Sequence, residues 1–85
     1  MTEEFDNAVN ASKSLPQRPA NDELLKLYAL FKQATEGDNT GERPGGFDFK
    51  GIAKHDAWAE LKGKDSADAE TEYIQFVKEL QAKYA

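Results

Sequence analysis

With 85 residues, the chain fits one small domain spanning positions 1–85, able to bury roughly 60% of its unfolded surface and so to support a thin core. Sixteen Asp and Glu against eleven Lys and Arg give a net charge of −5, which argues against nucleic acid or anionic membrane as the main partner. The chain has no cysteine, which excludes disulfides and thiolate metal ligands and fits a reducing compartment. No stretch approaches the ~20 apolar residues of a membrane span, and the acidic start Met1–Asp6 is unlike a signal peptide. A cytoplasmic protein with no stable membrane insertion is the expectation.

In chain order, Phe5, Ala8, Val9 and Leu15 fall near helical spacing, with Glu3, Glu4 and Asp6 where the dipole of a first helix favours them. Pro16 and Pro19 are expected to end it. Asn21 is the expected N-cap of a second helix whose apolar face is Leu24, Leu27, Tyr28, Phe31 and Ala34, stopping at Gly37. Residues 37–48 contain four glycines and Pro44 and read as a long ordered loop anchored by Phe47 and Phe49. A third helix is expected from about Lys50 to Leu61, with Ala53, Ala57, Trp58 and Leu61 inward and Gly63 as its left-handed cap. Asp65 or Ser66 should then cap a fourth, whose stripe is Ala69, Tyr73, Phe76, Val77, Leu80 and Tyr84. Four helices and no strand-like alternation make the fold all-α, a four-helix bundle with one long connection.

Tyr28 and Lys32 are four apart, as are Lys50 and Lys54, so each pair can share a helix face. Two such faces brought together suit a ligand carrying phosphates and a flat ring. The net charge requires that any phosphate be held by a local cationic patch. Lysines in a partly sheltered site can supply charge-assisted hydrogen bonds of about 1.5–3 kcal/mol each.

The order of short motifs is more specific than any one of them: Tyr28, Lys32-Gln33-Ala34-Thr35, Gly37-Asp38, Arg43-Pro44-Gly45, Asp48-Phe49-Lys50-Gly51, Ala53-Lys54, Asp56-Ala57-Trp58 and Leu61-Lys62-Gly63. Over essentially its whole length the chain resembles the acyl-CoA-binding protein family. The resemblance implies an up-down-down-up order of helices and a monomeric intracellular carrier that binds medium- to long-chain acyl-CoA reversibly, with transient contacts to acyl-CoA-using enzymes. It implies that Tyr28, Lys32, Lys54 and Tyr73 hold the nucleotide end, with Lys13 and Lys50 near it, Phe31 offering ring surface and Arg18 a further cation. The apolar candidates for the acyl chain are Leu25, Leu27, Phe49, Ile52 and Ala53. The chain departs from the family pattern at His55, where a second tryptophan is usual, at Phe31, often tyrosine, at Ile52, often lysine, and at Asn39-Thr40-Gly41 in the loop.

Two other readings compete. A small helical interaction module would carry its lysine face incidentally. A weak thioesterase would need His55, the only histidine, but Asp56 beside it on a helix should point about 100° away, preventing an oriented pair. The serines carry no nucleophile signature, and Asp38-Asn39-Thr40-Gly41-Glu42 lacks the alternating ligands of a calcium loop. No enzyme activity, cofactor or metal is expected.

Overall fold

The computed structural model describes residues 2–85. Four helices follow in order: α1 Glu3–Ser12, α2 Asn21–Glu36, α3 Phe49–Ala59 and α4 Ser66–Lys83. The described residues form no strand, and the fold is the all-α four-helix bundle expected.

The Thr2 hydroxyl accepts the Phe5 N–H at 3.1 Å and starts α1, satisfying one of the donors a helix N-terminus leaves free. The helix ends at Ser12, before either proline. The Ser12 hydroxyl donates to the Val9 carbonyl, while the Lys13 and Ser14 amides bond three residues back and tighten the last turn. Leu15 therefore packs on the core from the connection, not from the helix.

The second helix begins one residue earlier than expected: Ala20 is its N-cap and Asn21 its first helical residue. Alanine has no side-chain acceptor, and the Glu23 carboxylate instead reaches back to the Ala20 N–H at 2.9 Å. That carboxylate also accepts Lys83 Nζ at 2.7 Å and the Tyr84 hydroxyl, tying the start of α2 to the end of α4. These bonds, Lys83 first and then Tyr84 and the Ala20 amide, hold the Glu23 pKa at about 2. A depressed folded-state pKa stabilises the fold above the ordinary glutamate value of 4.5, and the contribution is lost as pH falls towards 2. The melting temperature of Glu23→Gln is accordingly expected to lie below that of the parent at pH 7, with the gap closing between pH 4.5 and 2. Thermal melts across that range check it, and a pH-independent gap would contradict it.

Packing runs α1 on α4, α4 on α2 and α2 on α3. The core is Phe5 and Ala8 of α1, Leu27, Leu30 and Ala34 of α2, and Ala69, Tyr73, Val77 and Leu80 of α4. Because α3 packs on α2 alone, none of its residues is fully buried, and it leaves open flanks along the α2–α3 seam. Principal extents of 37 × 26 × 15 Å make the molecule thin. Its grooves are open to the surface along the helix seams.

Asp48 caps α3, its carboxylate accepting the Gly51 N–H at 3.0 Å. A Cβ at residue 51 would meet that carboxylate, with its Cγ 2.7 Å away, so a larger residue there would push the exposed Asp48 side chain off the cap. The third helix stops at Ala59, two residues short of the expected Leu61. Turn bonds from Leu61 and Lys62 continue past it, and Gly63, at φ +89°, closes that turn instead of the helix itself.

Phe47 and Phe49 do not anchor the 37–48 loop: they are 91% and 70% exposed. Polar contacts hold it instead. Arg43 grips Asp56 through Nε and Nη2, both at 3.0 Å; Asn39 donates to the His55 carbonyl at 3.2 Å; and Asp38 accepts the Gly63 N–H at 2.8 Å. An ordered conformation without an apolar anchor is possible because each of these side chains meets a partner fixed on or just after α3.

Candidate functional site

On α2, Leu24 and Leu25 lie three or four residues before Tyr28; on α3, Phe49 and Ala53, like Lys50 and Lys54, are four apart. The two faces meet across a groove of about 580 Å³ lined by Leu24, Leu25, Tyr28, Phe49, Lys50, Ala53 and Lys54, with Arg18 and Asn21 closing the end before α2. Three cations and four apolar side chains share this lining, which contains no carboxylate. Arg18, Lys50 and Lys54 form no ion pair among the described residues, leaving their charge available to a ligand.

The Tyr28 ring is flanked by two ammonium groups, with Lys54 Nζ 5.2 Å and Lys32 Nζ 6.0 Å from its centroid. Lys32 also stands 5.3 Å from the Trp58 ring and pairs with Glu36, the contact that raises its pKa despite partial desolvation. A ring beside two cations offers an aromatic platform and countercharges within reach of one anionic, ring-bearing ligand.

The structure thus brings Leu25, Tyr28, Phe49, Lys50, Ala53 and Lys54 into one groove, with Lys32 a turn along α2. It places the remaining sequence candidates elsewhere. Lys13 is the exposed C-cap of α1. Leu27 is buried in the core, and Ile52 is half-buried on α3 away from the groove lining. Phe31 and Tyr73 form an aromatic cluster with Phe5, centroids 5.1–6.3 Å apart. Tyr73 is 3% exposed, its hydroxyl donates to Ser12 Oγ at 3.2 Å, and burial raises its pKa. The sequence marks Leu24 as core and Asn21 as a cap. Their spacing from Tyr28 was the only signal that they could line a groove.

A second groove of equal volume, about 580 Å³, shares Leu25 and Ala53 with the first. Its rim carries Asp22, Asp56, Glu60 and Glu72 against Lys26 and Lys64. Volume does not separate the two grooves; charge does. An anionic headgroup meets repulsion in the second and countercharge in the first.

His55 and Asp56 are in contact, contrary to the helical-wheel argument: Nδ1 lies 3.3 Å from Asp56 Oδ1. Both side chains bend towards the loop, Asp56 to chelate Arg43 and His55 to set Nε2 3.1 Å from the Gly41 carbonyl. Arg43 first, and then His55, hold the Asp56 carboxyl below its usual range. Both imidazole nitrogens face protein acceptors, of which a neutral ring can donate to one, and this contact braces the loop. Among the described residues, no group of three or more His, Asp and Glu could hold a metal ion.

Residues 2–77 match the family model for acyl CoA binding protein. The chain is 57% identical over 84 residues to an acyl-CoA-binding protein homolog of Caenorhabditis elegans, covering 99% of this chain and 98% of that one. It is 53% identical over 81 residues to an acyl-CoA-binding protein of Saccharomyces cerevisiae, covering 95% and 93%. Its fold is similar to the crystal structure of Oryza sativa acyl-CoA-binding protein 2, with a TM-score of 0.90 at 42% identity, covering 95% of this chain and 90% of that one.

Proposed function

The chain belongs to the acyl-CoA-binding protein family, and from that premise we propose that it is a monomeric cytoplasmic carrier of medium- to long-chain acyl-CoA, acting by reversible binding without bond-making. The observation that carries this reading is the groove between α2 and α3, which gathers three cations, a tyrosine ring and apolar walls with no carboxylate, in a chain of net charge −5. Arg18, Lys50 and Lys54, with Lys32, hold the phosphates. Tyr28 lies against the adenine, and the acyl chain runs along Leu25, Phe49 and Ala53.

The two halves of the ligand must act together. Burying ten methylenes yields roughly 8 kcal/mol at about 0.8 each, while association and ordering take back something like 4–15 kcal/mol. The apolar wall alone therefore gives weak binding, and the ionic contacts to the headgroup supply the rest. The protein needs neither cofactor nor metal in this role, and its one histidine lies against the loop.

Calorimetric titration with palmitoyl-CoA, alongside free coenzyme A and free palmitate, tests the reading. Submicromolar binding of the thioester and much weaker binding of both fragments is the expected result, with no thiol released during the titration. Absence of heat together with absence of a thermal shift would overturn it in favour of an interaction module, and steady thiol release would make the protein a thioesterase.

A further inference from the structure

The two most exposed large apolar side chains, Phe47 and Phe49, stand side by side, ring centroids 6.3 Å apart at 73°. They are held outward by a tight turn in which the Phe49 N–H donates to the Phe47 carbonyl at 2.9 Å, after Gly46 at φ +66°. Asp48 between them has its carboxylate turned back on the Gly51 amide. Phe49 is also a wall of the cationic groove, so the aromatic pair continues directly into Lys50, Lys54 and Arg18. Two adjacent exposed rings bordered by unpaired cations form the amphipathic pattern of an interfacial contact, with rings for the acyl boundary and cations for anionic headgroups.

We propose that Phe47 and Phe49 dock the mouth of the groove transiently on a phospholipid surface, so that acyl-CoA dissolved in the bilayer passes into the groove without first crossing water. A lipid surface fits better than an enzyme surface because the ligand itself partitions there by its tail, and the patch matches the charge and polarity order of such an interface. Docking by two rings is weak and reversible, since stable anchoring requires more buried apolar area or a second membrane signal. The overall negative charge restricts the contact to this one patch. The inference rests on the carrier reading above, and the two fail separately.

Phe47→Ser tests it, because Phe47 is not part of the cationic groove's lining and is already solvated. Palmitoyl-CoA is loaded into vesicles of phosphatidylcholine with or without phosphatidylserine, and its transfer to protein is timed. For the parent, the rate should rise with protein concentration and with phosphatidylserine. For Phe47→Ser it should fall about tenfold, a factor worth roughly 1.4 kcal/mol, while calorimetric affinity in vesicle-free buffer stays unchanged. Flotation of ligand-free vesicles should carry the parent more than the variant, which tests the lipid contact even if the carrier reading is wrong. Equal flotation and equal transfer rates would overturn the proposal and leave the aromatic pair as a protein-docking surface. A transfer rate independent of protein concentration would overturn it in favour of capture from water, and an equal loss of solution affinity would reassign Phe47 to the ligand site.

Discussion

Gln33→Leu is expected to lower the stability of the fold by about 1–3 kcal/mol. Gln33 is fully buried, at 0% exposure. Its Nε2 donates to Asp38 Oδ1 at 2.9 Å and to the Lys64 carbonyl at 2.8 Å, and its Oε1 accepts the Trp58 indole N–H at 3.2 Å. The Ser66 hydroxyl donates to its backbone carbonyl at 3.2 Å. One side chain thus fastens the end of α2 to the long loop, to α3 and to the turn before α4. Leucine is close in volume, so the loss comes from the polar contacts and not from a cavity: the Lys64 carbonyl loses its partner, while the Trp58 indole keeps the Gly37 carbonyl at 2.8 Å and Asp38 keeps the Gly63 N–H. Gln33→Glu should be at least as damaging at pH 7, because it would set a carboxylate against the Asp38 carboxylate and the Lys64 carbonyl, both acceptors. Urea midpoints, read with an unchanged slope, check both variants. A loss below about 1 kcal/mol would mean that the network contributes little.

Lys54→Ala is expected to weaken palmitoyl-CoA binding at least tenfold, about 1.4 kcal/mol, and to flatten its dependence on salt. Lys54 is exposed and lines the carboxylate-free groove, its ammonium lying 5.2 Å from the Tyr28 ring. Its removal takes away a ligand contact without breaking an ion pair of the fold, so the melting temperature should hardly move. The control is Lys78→Ala on the α1–α4 face, which makes the same change in net charge away from the groove and should leave affinity unaltered. Equal effects of the two substitutions would show that overall charge, not the groove, governs binding. An unchanged affinity for Lys54→Ala would remove it from the site.

Much of the tertiary arrangement depends on groups far apart in sequence. The partners of Gln33 include Trp58 and Lys64, 25 and 31 positions away, and the helical stripe of α2 marks position 33 only as a polar residue beside Ala34. The stripe of α4 correctly gave Ala69, Tyr73, Val77 and Leu80 as inward. It did not reveal that the Tyr73 hydroxyl meets Ser12 under α1. Phe47 and Phe49 read as loop anchors on hydrophobicity alone, and the polar grip of Arg43 on Asp56 leaves them outside.

By itself the sequence determined the four helices, the stop of α2 at Gly37, the acidic character of the chain and the pairing of aromatic and cationic residues at four-residue spacing. These are local properties, set by backbone sterics, capping groups and periodicity within a turn or two. Tertiary structure alone decided that α3 packs on α2 only, that Leu25 and Ala53 are shared by a basic groove and an acidic one, and that the Tyr73 hydroxyl meets Ser12. Periodicity shows which residues share a face, whereas burial and function depend on which distant element covers that face.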